Sequence, residues 1–142
     1  MNDLKHYNEN GDLHRTNGPA VKWADGYLAW YQNGKRHRTN GPAVEWANGP
    51  KAWYVRGKRH RINKPAYTNS KGVKEWFVNG TLHQINKPAY ERMNGQKQWS
   101  LNGKPHRIDG PTTEYTNGNT EWWINNKQYS KSNFKRIMKI NP

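Results

Sequence analysis

The 142-residue chain contains no cysteine, so a disulfide framework, a thiolate metal site and a cysteine nucleophile are all excluded. Phenylalanine is nearly missing, with two residues, and hydrophobic residues make up only 32% of the sequence. Mean hydropathy is −1.33. No apolar run approaches the roughly 20 residues of a membrane-spanning helix. No charged-then-apolar leader opens the sequence, so the expected compartment is the cytoplasm. Acids are scarce as well: ten Asp and Glu stand against 24 Lys and Arg, a formal charge of +14. That balance argues against a strong cation-binding role and for an anionic partner.

So polar a composition ordinarily marks a disordered chain, which lacks aromatic residues and cannot bury enough apolar surface to offset its ordering entropy. Eight Trp and eight Tyr contradict that expectation. A fully buried Trp withdraws about 200 Å² from water, about 5 kcal/mol at the usual area coefficient. A thin core built on Trp is therefore expected.

The aromatics are placed periodically. His14, His37, His60, His83 and His106 stand 23 residues apart, without insertion, and only His6 lies outside the register. Five residues after each comes Pro19, Pro42, Pro65, Pro88 or Pro111, and sixteen residues after each comes Trp30, Trp53, Trp76, Trp99 or Trp122. Two turn signals recur in every unit, one at Asp25-Gly26, Asn48-Gly49, Lys71-Gly72, Asn94-Gly95 and Asn117-Gly118. The other falls at Asn33-Gly34, Arg56-Gly57, Asn79-Gly80, Asn102-Gly103 and Asn125-Asn126. Such pairs are mostly hairpin chemistry, since Gly and Asn accept positive φ cheaply. The runs between them, such as "PAVEWA" and "KAWYV", are too short for helices and read as strands.

A two-residue loop at Asn33-Gly34 sets Gln32 against Lys35, Tyr31 against Arg36 and Trp30 against His37. The same count pairs Trp53 with His60, Trp76 with His83, Trp99 with His106, and Trp122 with Tyr129. The ladder Trp30, His37, Trp53, His60, Trp76, His83, Trp99, His106 and Trp122 is the expected structural core. Strand alternation then puts Val44, Trp46, Trp53, Val55 and His60 on one buried face. It puts Tyr31, Tyr54, Phe77 and Trp123 with Arg15, Arg36, Arg38, Arg59, Arg61 and Arg107 on a second face, expected to be wet, aromatic and basic. Repeats related by a simple shift need an even number of strands. Two fit best, with "KRHRTNGPAVEW" one long strand bent at Asn-Gly-Pro, its first half pairing backwards and its second half forwards.

The predicted fold is all-β: an elongated, twisted antiparallel meander of five 23-residue β-hairpin repeats over residues 1–129. Residues 130–142 break the period. Ser130 or Ser132 caps a short helix there in which Phe134, Ile137 and Met138 share one face, and the helix is expected to cover the last strand edge.

In its period, its hairpin per unit, and its H-R-x-x-G-P-A and W-Y-x-N-G-K patterns, the stretch from about Leu13 to Lys127 resembles MORN-type repeats. The variant is one frequent in proteins of large bacterial viruses. The Tyr-x-Gly opening of the usual unit is absent, so lipid binding does not carry over. The resemblance implies a scaffolding or binding module without catalysis, acting in the host cytoplasm if the protein is viral.

Five histidines in register suggest a metal site, yet equivalent positions two strands apart are about 10 Å from one another, too far for one ion. Glu45, Glu91 and Glu114 recur at one position, where Lys22 and Thr68 stand in other units, and no serine or cysteine signature accompanies them. No catalytic residue, no metal ligand and no cofactor is therefore assigned. The remaining candidate is a basic, aromatic surface of Tyr31, Lys35, Arg36, Arg38, Tyr54, Arg56, Lys58, Arg59 and Arg61, the combination used to track phosphates and stack bases. Nucleic acid, or a nucleotide or other phosphate-rich ligand, is the expected partner; an acidic protein surface, for instance that of a host factor blocked by a viral inhibitor, is the alternative. Trp23 and Trp46, whose equivalents are Asn69, Arg92 and Tyr115, are expected at a surface groove.

Overall fold

A computed structural model of the chain describes residues 2–139. It is an antiparallel β meander followed by one short helix. Twelve strands pair in sequence order: Leu4–Lys5, Val21–Lys22, Leu28–Ala29, Val44–Glu45, Lys51–Ala52, Tyr67–Thr68, Lys74–Glu75, Tyr90–Glu91, Lys97–Gln98, Thr113–Glu114, Thr120–Ile124 and Lys127–Tyr129. Each unit thus gives the main sheet two strands, as an even count requires.

Every second strand runs past the sheet into a two-stranded ribbon. Leu28–Ala29 continues through Trp30 into Tyr31–Gln32, which turns at Asn33-Gly34 and returns as Lys35–Arg36. Tyr54–Val55 with Lys58–Arg59, Phe77–Val78 with Thr81–Leu82, and Ser100–Leu101 with Lys104–Pro105 repeat the device. The tryptophan is the point of exchange: Trp30 donates its N–H to the Ala43 carbonyl at 2.8 Å and accepts from His37 N–H at 3.1 Å. The Trp–His register counted from the sequence is the one observed, because φ is positive at both Asn33 (49°) and Gly34 (72°), the two-residue hairpin geometry. Neighbouring ribbons are tied together as well, by Arg38 N–H to the Tyr54 carbonyl and Gly57 N–H to the Arg36 carbonyl.

The other turn differs from the expected pattern. Trp46 N–H bonds the Pro50 carbonyl, so the loop holds three residues, Ala47, Asn48 and Gly49, with only the glycine at positive φ. One extra residue reverses the parity of the strand beyond it. Val44 consequently pairs with Ala52, and both face a buried cluster with Val21, Tyr27 and Ala29, on the opposite side of the strand from Trp53. The face holding Tyr31 and Tyr54, expected to be wet, packs against that cluster. A second correction concerns Val44–Glu45, which pairs both backwards with Leu28–Ala29 and forwards with Lys51–Ala52.

Trp99 and Trp122 are buried, whereas Trp30, Trp53 and Trp76 are half-buried. Complete burial falls on the smaller residues Ala20, Ala43, Ala66, Ala89 and Thr112, one per unit, directly after the recurrent proline. The terminal helix spans Lys131–Met138, with Ser130 as its cap accepting from Asn133 N–H. Phe134 is fully buried, its ring centroid 5.0 Å from that of Trp122, while Ile137, expected on the same apolar face, is exposed.

Candidate binding surface

The nine residues of the expected basic surface separate into three environments. Arg36 and Arg59 lie among the tyrosines of the inner face. Arg36 donates from Nε to the Tyr31 hydroxyl at 3.1 Å and sits over the Tyr54 ring, 5.4 Å from its centroid. Arg59 donates to the Tyr54 hydroxyl, lies over Tyr67 and Phe77, and pairs with Glu75 at 2.9 Å. Burial raises the Tyr27 hydroxyl pKa despite the nearby Arg36 charge. Burial likewise raises the Glu75 carboxyl, and the attraction of Arg59 only partly offsets it.

Arg38 and Arg61 have a different task. Their guanidinium carbons lie 3.9 Å from the ring centroids of Trp30 and Trp53, and Arg107 stands over Trp99 in the same way. Such stacks contribute about 0.5–2 kcal/mol each. Nη1 of each also donates to the carbonyl of the following proline, closing the loop between His-Arg and that proline onto the indole. Arg38 reaches Glu45 at 3.0 Å, and Arg107 reaches Glu114 and Asp109, both at 2.7 Å. The hydrogen bond from Arg107 holds the Asp109 carboxyl below the usual carboxylate range. Arg61 has no acid to reach, since Thr68 stands where its neighbours have glutamate, and burial lowers its pKa. These four arginines of the expected surface are stacked and hydrogen-bonded parts of the fold, so substituting them together disrupts packing as well as charge.

Lys35, Arg56 and Lys58 form the third environment. All three are exposed at the tips of the first two ribbons, and Lys104 and Lys127 hold the equivalent place in later units, where Thr81 interrupts the row. The stems of Lys35 and Lys58 lie close to Gly57 and Gly80 of the next ribbon, which fixes where the ammonium groups emerge. Among the described residues every ion pair is made by Arg38, Arg59 or Arg107, and none by a lysine.

The histidines connect units. Nδ1 of His14, His37, His60 and His83 accepts the N–H of Asn33, Arg56, Asn79 and Asn102, each 19 residues onward, at 3.1–3.2 Å. At His14, His60 and His83 the same Nδ1 also lies 2.8–3.0 Å from the side-chain oxygen of that Asn, so the tautomer of the ring decides which of the two contacts is the hydrogen bond. Among the described residues no group of three or more His, Asp or Glu side chains is arranged to hold a metal ion.

Sequence reasoning missed a second surface. Four clefts follow one another at the period of the repeat, floored by Trp30 and His37, by Trp53, Val55 and His60, by Trp76, Val78 and His83, and by Trp99, Leu101 and His106. The residues just after each histidine form the shared walls. In the later units those walls carry Ile62, Ile85 and Ile108, exposed by 58%, 64% and 56%, where the earlier units have Thr16 and Thr39. Their 23-residue spacing was the one signal that could have found them. Trp23 and Trp46 lie outside this row: Trp23 stacks on Tyr27, and Trp46 meets Tyr27 and Tyr67 edge-on.

No helix among the described residues is long and apolar enough to cross a membrane. No protein-family model matches the chain, and no curated protein matches it.

Proposed function

We propose that the protein is a binding module without catalytic activity, of MORN-like repeat design, for an anionic partner, with nucleic acid the best-supported class. The observation that carries this reading is the distribution of charge. Among the described residues, the acids that pair at all pair with stacked arginines, so the lysines, and Arg56 beside them at the ribbon tips, carry their charge without a carboxylate partner. Lys35, Arg56 and Lys58, with Lys104 and Lys127 further along, make an edge on which a phosphate backbone is neutralised without disturbing the fold.

The test is Lys35→Ser, Arg56→Ser and Lys58→Ser combined, with binding to single-stranded RNA and DNA measured across salt concentration. Affinity falls, and the slope of log affinity against log salt becomes shallower by roughly 0.7–0.9 for each phosphate that is no longer neutralised. An unchanged slope and affinity would overturn the reading. A protein partner is the second reading, favoured by the exposed Ile62, Ile85 and Ile108, whose apolar side chains contribute nothing to phosphate binding.

A further inference from the structure

The five register tryptophans are not equally covered. Arg38, Arg61 and Arg107 stack on Trp30, Trp53 and Trp99, and Phe134 of the terminal helix packs on Trp122. Trp76 has neither a cation nor an aromatic ring on it among the described residues, because the fourth unit carries Gln84 where the others carry arginine. Glu91, seven residues after Gln84, is the counterpart of Glu45 and Glu114, which pair with Arg38 and Arg107. The unit therefore keeps the acid of the staple and lacks its guanidinium.

The cleft of this unit is lined by Trp76, Val78 and Gln84, with Ile62 on one side and Ile85 on the other, and by Arg61 and Lys87. The walls are one repeat apart, about 10 Å between backbones. Arg61 has no carboxylate partner, and its guanidinium makes one hydrogen bond among the described residues, to the Pro65 carbonyl. Lys87 has no ion pair among the described residues either. Apolar walls, an indole without a stacked cation or ring, and two unneutralised cations complement one kind of group, an aromatic side chain with carboxylates beside it. The chain itself shows how an aromatic fits such a floor: Phe134, carried on a helix, meets Trp122 edge-on at 5.0 Å.

We propose that the cleft over Trp76 is a docking slot for a segment of a partner protein that presents one aromatic side chain flanked by Asp or Glu. The ring enters between Ile62 and Ile85 onto Trp76, and the carboxylates reach Arg61 and Lys87. This site lies beyond the nucleic-acid reading and uses none of the ribbon-tip cations, so either reading can fail alone.

The experiment uses the full chain and a short synthetic peptide with one Phe between Asp and Glu residues. Its counterparts carry Ala for Phe, or Asn and Gln for the acids, and a short oligothymidylate serves as the competing class. The Trp76 indole N–H resonance, identified by its loss in Trp76→Phe, and the Ile62 and Ile85 methyl resonances report occupancy. The acidic Phe peptide shifts these signals saturably, and each counterpart binds at least roughly tenfold more weakly. Gln84→Arg is the decisive variant, since it restores the guanidinium of the neighbouring units, with Glu91 already in place, and puts a stacked cation on the Trp76 ring that the incoming aromatic would otherwise meet. It weakens the peptide at least roughly tenfold while Tm holds or rises. Lys87→Ser weakens the peptide without changing Tm. The proposal is overturned by the absence of a saturable shift, by equal shifts at Trp30, Trp53 and Trp99, by undiminished binding to the Gln84→Arg protein, or by oligothymidylate alone moving Trp76.

Discussion

A Cβ on Gly41 would stand 2.8 Å from the guanidinium carbon of Arg38. The glycine of the recurrent Asn-Gly-Pro is therefore there for close approach, because its φ is not in the left-handed region. Gly110 stands in the same relation to Arg107, at 2.7 Å. The third and fourth units have Lys64 and Lys87 at this place, and there the preceding Asn63 and Asn86 adopt φ of 59° and 58°. Gly41→Lys accordingly drives Asn40 toward the left-handed region and breaks its 3.3 Å bond from Arg38 Nε. Urea unfolding should show a loss of about 1 kcal/mol, the scale of one such bond.

Arg56 is the one arginine among the described residues in a left-handed turn position, at φ 49°, where the four equivalent turns begin with Asn at 47–51°. That conformation costs an ordinary residue about 1–2 kcal/mol and Asn less. Arg56→Asn keeps the N–H that His37 Nδ1 accepts, and it should raise stability by about 0.5–1 kcal/mol in chemical denaturation. A loss of stability would mean that the Arg56 side chain holds the ribbon tip in some other way.

Glu75 makes an ion pair with Arg59 at 2.9 Å, and its pKa is nevertheless raised, because burial outweighs the attraction. A carboxyl whose folded pKa lies above its unfolded value stabilises the fold below the unfolded pKa, and this contribution is lost as pH rises through the folded value. Ionised Glu75 thus carries a net cost near neutrality. Glu75→Gln should leave Tm unchanged near pH 4 and raise it at pH 7; a variant less stable at pH 7 than at pH 4, relative to the parent, would show the ion pair winning.

Phe134 is the anchor of the terminal helix. Phe134→Ala removes a fully buried ring from Trp122, and about 3–5 kcal/mol is the usual penalty for truncating such a residue. Since each unit touches its neighbours, hydrogen exchange should accelerate first in the fifth unit and least at Val21 and Ala29. Uniform acceleration along the chain would contradict that local coupling.

The parts of the fold that were legible in the sequence are those fixed by turn chemistry over a few residues. Asn33-Gly34 dictates its own loop length, and the Trp30–His37 register follows from it. Asn48-Gly49 looks equivalent, but the glycine serves a three-residue loop closed by Trp46 and Pro50, and one residue of difference moved Val44 to the other face. The nine surface residues were identified by charge and aromaticity, which do not distinguish a free cation such as Lys58 from a stacked one such as Arg61. For two of the stacked arginines a signal did exist, since Arg38 and Arg107 each have Gly three residues on and Glu seven residues on; Arg61, equally stacked, has neither. Ile62, Ile85 and Ile108 were equally periodic but less conspicuous than the Trp and His beside them.

The bond from each histidine to the turn of the next unit makes chain length a quantised property. Removing or duplicating a block of 23 residues returns every Nδ1 to a waiting N–H and every strand to its proper face, whereas a block one residue shorter or longer inverts all that follows. At His106 the series stops, with a buried Nδ1 that no N–H meets and a helix where another unit would begin. A lineage carrying this architecture can therefore lengthen or shorten its row of ribbon tips in whole steps, by unequal crossing-over within one gene, without redesigning any single unit.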